Sequence, residues 1–282
     1  MIPLIIAGVG AAAAGVYTIG SHMAIKDLKD DIESINRNAS NQIEETKELI
    51  KETNNKLNRV YDIAAKQKEM IYSTTLKRTQ DITKKIKIKQ SNLEFKNEIR
   101  DISSNMSSIK ESTLPKVANV AAIGLTCAIS NVAGAFAGGL IGNTVVGVAM
   151  TFKKEEAEEQ YARVKAECEI AKTECSKRKQ LTRKIVDTVN VVAGLDKMTK
   201  DSLDNVGKIL SNKGYDMTYW TESECDSVMT LLNLAKAMAD IINCNIVIDN
   251  GGMSSEYMDK INEQRVKIIN SGYEVPDKIT VD

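Results

Sequence analysis

Apolar positions recur every three or four residues over most of the chain, the repeat of an amphipathic helix. No Gly or Pro occurs from Ser21 to Thr113, and the stripe runs through Ile25, Leu28, Ile32, Ile35, Ala39, Ile43, Ile50, Leu57, Val60, Ala64 and Ile71. It resumes at Ile99, Ile102, Met106 and Ile109. The extra four-residue step from Ala39 to Ile43 reads as a stutter that locally unwinds a supercoil. A helix of some ninety residues is about 135 Å long and must pair with another helix to bury its stripe. Leu114-Pro115 closes it, because the residue before Pro is driven from helical dihedrals.

A run without any charge follows, Val117 to Phe152, between Lys116 and Lys153. The chain is then again free of Gly and Pro from Lys154 to Val192, with the stripe Tyr161, Val164, Cys168, Ala171, Cys175, Ile185, Val189, Val192. The simplest layout is helix, apolar hairpin, helix, the second helix folding back antiparallel along the first. The last ninety residues read as a small helical domain. "DSLDNVGKILSNKG" predicts a helix capped at Asp201 and stopped at Gly214. Thr221 and Glu224 have capping-box spacing. "DNGG" at 249–252 predicts a turn, the segment around Tyr257 a third helix, and Gly272 a C′ residue. "NIVID" and "KITVD" suit a pair of short strands. The expected fold is therefore all-α: long coiled-coil helices flanking an apolar Gly-rich helical hairpin, with a small C-terminal helical domain. The parts are 1–20 (apolar segment), 21–116 (long helix), 117–152 (hairpin), 153–192 (return helix) and 193–282 (C-terminal domain).

Composition supports helices: aromatic residues make up 4 % of the 282-residue chain and Pro occurs three times. Charge balances at 38 against 38 but is unevenly spread. Residues 21–116 hold 19 Lys and Arg against 15 Asp and Glu, whereas 195–282 hold 9 against 15. So dilute a basic excess gives no reason to expect nucleic acid. Two basic clusters stand out, "KKIKIK" at 84–89 and "SKRKQLTRK" at 176–184, without interleaved aromatics for base stacking. An antiparallel pair of long helices would bring them together as one basic band for anionic lipid or an acidic protein surface. Five cysteines without a CxxC pair argue for reduced thiols, and the heptad spacing of Cys168 and Cys175 makes them core positions.

Catalytic chemistry finds little support. His22 is the only histidine, so a His-activated nucleophile has one place to form, beside an apolar segment. Gly8, Gly10 and Ala13 imitate a dinucleotide fingerprint, but no second strand follows. A phosphate loop fails at Gly142-Asn143-Thr144, where Lys is required. No catalytic residue, cofactor or metal is expected.

What remains is the uncharged sequence. Split at Gly134, the 117–152 run gives two arms of 17 residues, each about 25 Å as helix, near the thickness of a hydrocarbon layer. Gly134, Gly138 and Gly142 share one helical face and let backbones approach. Gly8 and Gly15 do the same in the N-terminal segment, which lacks the leading positive charge of a secretory signal and reads as an uncleaved anchor. Lys84, Lys85, Lys87, Lys89, Lys153 and Lys154 are the candidate contacts to anionic lipid. The ends of the hairpin share a cytosolic face by their flanking lysines.

Apolar segments at 1–20 and 117–152 between long helices resemble, in architecture across residues 1–192, the α-helical pore-forming toxins of the hemolysin E type. The resemblance implies a helical bundle with an apolar hairpin at one end that inserts into membranes. It includes no motif and carries over no site residue. The sequence as a whole predicts a membrane-embedded, homo-oligomerising helical scaffold without enzymatic activity, its coiled coil and C-terminal domain in the cytoplasm. A pore-forming or membrane-permeabilising effector is the first alternative and a soluble coiled-coil adaptor the second.

Overall fold

The computed structural model describes residues 13–88, 96–97, 100, 148–244 and 254–277. Side-chain surroundings are described from 26 in the first helix and from 154 in the one that follows the apolar run. About 90 % of the described residues are helical, and there is no strand among them. The elements are α1 (Ala13–Ile71), a π-helical turn (Tyr72–Leu76), α2 (Lys77–Thr83), α3 (Val148–Lys213), a 3₁₀ turn (Met217–Tyr219), α4 (Glu222–Asn243) and α5 (Ser255–Asn270). Among the described residues no helix is long and apolar enough to cross a membrane. The candidate turn at 249–252 and both candidate strands lie outside the described residues.

The chain divides into two compact units, 1–53 with 124–176, and 54–123 with 177–282. In the first, α1 and α3 pack side by side through Ala39, Ile43 and Ile50 on one helix and Val164, Cys168, Ala171 and Cys175 on the other. Thr46 is fully buried with them and donates to the Gln42 carbonyl at 2.7 Å. The buried positions step by four and three on both helices, which keeps two stripes in contact as the helices wind. Between Ile32 and Ala39, Ile35 and Asn36 are both half-buried.

The direction of pairing differs from the expected fold-back. Lys154 meets Asp31 at 2.6 Å, and the Cys168 thiol lies 3.8 Å from the Gln42 carbonyl. Partners 123 and 126 residues apart, both rising along the chain, mean that α1 and α3 run parallel. The second unit has the same sense. Arg178 donates to Asn54 at 2.6 Å, Gln67 to the Val189 carbonyl at 3.0 Å and Thr75 to Asp196 at 2.7 Å. In the first unit this register sets Lys26, the first charged residue of α1, nearly level with Lys153, the first of α3.

Two boundaries also shift. The long helix ends at Thr83 and does not continue to 113. The π-helical turn inserts one residue, so that Thr75 and Leu76 are both buried, and Ser73 and Thr74 bond to the Met70 carbonyl. Beyond Thr83 the chain turns and becomes extended: the Lys87 N–H donates to the Tyr215 carbonyl at 2.8 Å, and its carbonyl accepts from Met217. "KIKI" thereby acts with a period of two, Ile86 buried and Lys85 and Lys87 exposed. Conversely, α3 runs unbroken through Gly194 and Asp201, so Asp201 is mid-helix and caps nothing; it accepts from the Tyr273 hydroxyl. Gly194 marks a close approach and no break: a Cβ there would meet Pro276 Cδ at 3.3 Å and Ile268 Cδ1 at 3.4 Å.

The helix-end signals read from sequence are seen. Gly214 and Gly272 take positive φ, 73° and 75°. Thr221 and Glu224 form a reciprocal capping box at the start of α4. In the second unit α3, α4 and α5 close one core around Leu195, Leu203, Leu231, Met238, Ile241 and Ile261. The parallel register has a direct test. Ile43→Cys is expected to oxidise with native Cys168, and peptide mapping that finds Cys175 as partner, or no bond, would refute the register.

Candidate functional site

Most positions singled out for membrane packing lie outside the described residues: Gly8, Gly134, Gly138, Gly142 and Lys89. Gly15 belongs to α1, and Lys153 to α3 without a described side chain. Lys154 is paired with Asp31, whose hydrogen bond holds its ammonium pKa above the usual value. Lys84, Lys85 and Lys87 are exposed where the chain leaves α2, with the Lys85 ammonium 5.8 Å from the Tyr215 ring centroid. Parallel pairing sets Arg178 against Asn54 while Lys87 lies against Tyr215. The two basic clusters therefore do not form one band.

The structure itself picks out a different residue, Lys68, whose side chain is 1 % exposed. It occupies the stripe of α1 between Ala64 and Ile71, where the core repeat calls for an apolar side chain. Its Nζ donates to the carbonyls of Ile241 at 3.1 Å, Ile242 at 3.4 Å and Cys244 at 2.7 Å. These are carbonyls of the last turn of α4 and its cap, where the helix runs out of N–H donors; that of Ile241 also accepts from the Cys244 N–H at 3.3 Å. Lys68 thus caps α4 from another helix and sits at the negative end of its dipole. The Tyr257 ring, buried on α5, lies under the ammonium at 4.8 Å.

Burial pushes the Lys68 ammonium down to about 7, against a smaller upward pull from Cys244. Burial likewise raises the Tyr257 phenol, which hydrogen-bonds to Thr188. Nearby, Lys260 donates to the Cys244 sulfur at 3.1 Å and pairs with Glu256. Burial raises the Cys244 thiol, so it is poorly suited as a nucleophile. The arrangement binds three helices together. An ammonium held by three carbonyls has no open position for a substrate.

A second feature lies further along α5. A half-open cavity of about 600 Å³ separates α4 from α5. Met198, Leu234 and Ala237 contribute its apolar lining and Gln264 a buried amide. The Gln264 Oε1 is buried without a hydrogen-bond partner among the described residues. Sequence reasoning passed over both Lys68 and Gln264, yet each is visible as a polar residue interrupting a core stripe. Among the described residues no group of His, Cys, Asp or Glu is gathered to hold a metal ion.

Lys68 also sets a pH dependence. The unfolded chain keeps its proton to about pH 10.5 and the folded chain to about 7. The unfolded state therefore binds more protons between these values, and stability rises with pH across that window. Above pH 9 the raised thiols of Cys225 and Cys244 oppose the trend. Urea midpoints are expected to increase from pH 7 to 9, and the slope to flatten in Lys68→Met. An unchanged slope in that variant would assign the dependence elsewhere.

No family model matches the chain, and no curated protein or solved structure gives a significant match.

Proposed function

We propose that the protein is a membrane-embedded helical scaffold, without enzymatic activity, that assembles through its paired helices and its Gly-faced apolar run. One observation carries the reading. The parallel register of α1 and α3 lets two apolar stretches, the one before Lys26 and the one before Lys153, enter the same end of the helix pair. Their first charged residues lie nearly level, and Asp31 meets Lys154 just beyond. An apolar region that gives way to charge at one depth on two neighbouring helices suits a bilayer boundary, where unpaired charge is excluded from the hydrocarbon. The continuous helix from Val148 to Lys213 would transmit any contact made by the apolar run into the helix pair, which acts in this reading as a coiled coil.

The glycines at 134, 138 and 142 would let neighbouring copies, or the N-terminal segment, approach backbone to backbone. Lys153 would remain at the anionic surface, while Lys154 is committed to Asp31; Lys84, Lys85 and Lys87 follow the far end of the helical run that begins with α1 and would not reach that surface. The C-terminal domain would project into the cytoplasm. A pore-forming effector would use the same inserted parts and is the second reading, favoured by two apolar segments at one end.

Carbonate extraction should leave the protein in the membrane pellet; release into the supernatant would count against insertion. Liposomes should stay sealed to a trapped dye if it is a scaffold and leak if it forms pores. Gly138→Leu should reduce the oligomer size of detergent-extracted protein by light scattering. An unchanged size would remove that contact.

A further inference from the structure

The parallel register gives the basic motif "SKRKQLTRK" a neighbour of its own sign. Asn54 accepts from Arg178 and Gln67 donates to the Val189 carbonyl, so 54–61 of α1 lies level with the start of the second unit's share of α3. The stretch 54–61 holds two basic residues and 177–186 holds five, and neither contains an Asp or Glu. Both stretches belong to the second unit.

Helical spacing sorts these cations by side. On α1, Leu57, Val60 and Ala64 form the buried stripe, and Tyr61 and Lys68 flank it on the side of Tyr257. Lys56 and Arg59 flank it on the opposite side. On α3, Thr188 bonds to Tyr257 and so marks the α5 side of the stripe, and Lys179 and Arg183 fall on the other. Two parallel helices therefore present one groove, with Lys56 and Arg59 on one rim and Lys179 and Arg183 on the other. Arg59, Lys179 and Arg183 are exposed, and none has an ion-pair partner among the described residues. The acids bordering the groove are engaged: Asp62 by Lys66, Asp187 by Arg265 and Asp277 by Asn190 at 3.5 Å. Glu52 and Glu174, just before the two stretches, have partners of their own, as does Lys56.

Three observations select the anion that answers this charge. The only aromatic residue of the two stretches, Tyr61, is buried on the other side, so the groove has no platform for the bases of a single strand. None of the exposed large apolar side chains falls within the two stretches, so nothing there enters a lipid interface. The free cations end within about two turns, and acids follow on both helices. A duplex charged along its whole length would be laid over those acids as well. A helix fits these limits. Carboxylates three or four residues apart lie about 5–6 Å from one another, the spacing of each cationic row. A third helix lies in the groove of a pair at about 8–10 Å from both axes, and Arg59 and Arg183 offer it planar forks suited to carboxylates.

We propose that the groove between Lys56 and Arg59 on α1 and Lys179 and Arg183 on α3 docks an acidic helix of a partner protein, with Glu or Asp in two adjacent turns facing the two rims. The site uses none of the apolar segments, so it stands apart from membrane insertion.

The test uses the full chain in neutral detergent and the fluorescence anisotropy of a labelled, stapled Ala-based helix of about twenty residues, with four Glu in two adjacent turns. This helix should bind at least tenfold tighter than its Gln isostere, and at least fivefold tighter than a Pro-interrupted peptide of the same Glu content. Arg59→Gln with Lys179→Gln should abolish the preference for Glu at unchanged Tm. Arg59→Glu with Lys179→Glu should instead bind the helix with Lys in place of Glu. Lys197→Gln with Lys208→Gln, exposed elsewhere on α3, should leave binding unaltered. Equal binding of the Glu and Gln helices or of the Pro-interrupted peptide, binding that survives the first variant, no binding of the Lys helix to the second, or loss in the control would each overturn the proposal. So would displacement of the helix by a duplex oligonucleotide or by phosphatidylserine vesicles at equal charge concentration. A smaller oligomer in the first variant would do the same, because it would assign the groove to a second copy of the chain.

Discussion

Everything else in the first unit depends on which way α3 lies against α1. Two helices with buried steps of four and three fit together in either direction, so the apolar stripe supplies attraction without orientation. Orientation comes from the polar residues. Lys154 finds Asp31 in the parallel sense. In the second unit Arg178 finds Asn54, and Thr75 finds Asp196, whose other oxygen accepts from Lys200. Hydrogen bonds of this kind add little net stability each, but a reversed pairing would strand buried groups such as Arg178 and Asp196 without partners. The seam is accordingly rich in small and polar side chains, with Thr46, Thr53, Thr182 and Cys168 where Leu or Ile would pack more tightly. Some of its polar atoms, Asn36 Oδ1 and Thr53 Oγ1 among them, have no partner among the described residues. That is a cost in stability carried at seam positions.

The legible parts of the fold were those set by local chemistry. A capping box needs only Thr221 and Glu224, three residues apart, and a left-handed stop needs only Gly214 or Gly272 where L side chains are strained. These were read correctly because nothing distant competes with them. The direction of the long pair was not legible, because a four-three repeat looks the same from either end. Gly194 is another feature whose role is set by distant residues. In isolation a glycine weakens a helix, but here the missing Cβ makes room for Pro276 and Ile268, a contact some eighty residues away in sequence. The end of α2 could have been seen: "KIKIK" alternates with a period of two, the pattern of an extended segment with one buried face. The absence of Gly and Pro masked it.

The candidate sites divide in the same way. The glycines were chosen by their helical spacing and the lysines by clustering or by flanking the apolar run, and neither gives the geometry of a contact. Lys68 and Gln264 were missed because a stripe is normally read by what is present. Ala64 to Ile71 leaves one turn unfilled, and Ile261 to Ile268 leaves another. In both cases the polar residue in the gap is buried, and the two differ in whether it is satisfied. Lys68 has three carbonyls and an aromatic face, which explains a charged side chain in the core as the cap of α4. The Gln264 Oε1 is buried without a partner among the described residues. The first is therefore a structural device and the second a cost in stability.

That difference in satisfaction also bears on how the second unit responds to its surroundings. Lys68 joins α1 to the end of α4 and to Tyr257 on α5, so loss of its proton weakens three carbonyl contacts at once while relieving the cost of a buried charge. The sign of the balance is set by burial, which outweighs the pull of Cys244 in lowering its pKa. A protein that caps a helix this way gives up stability near neutral pH for a fixed placement of α4 against α1.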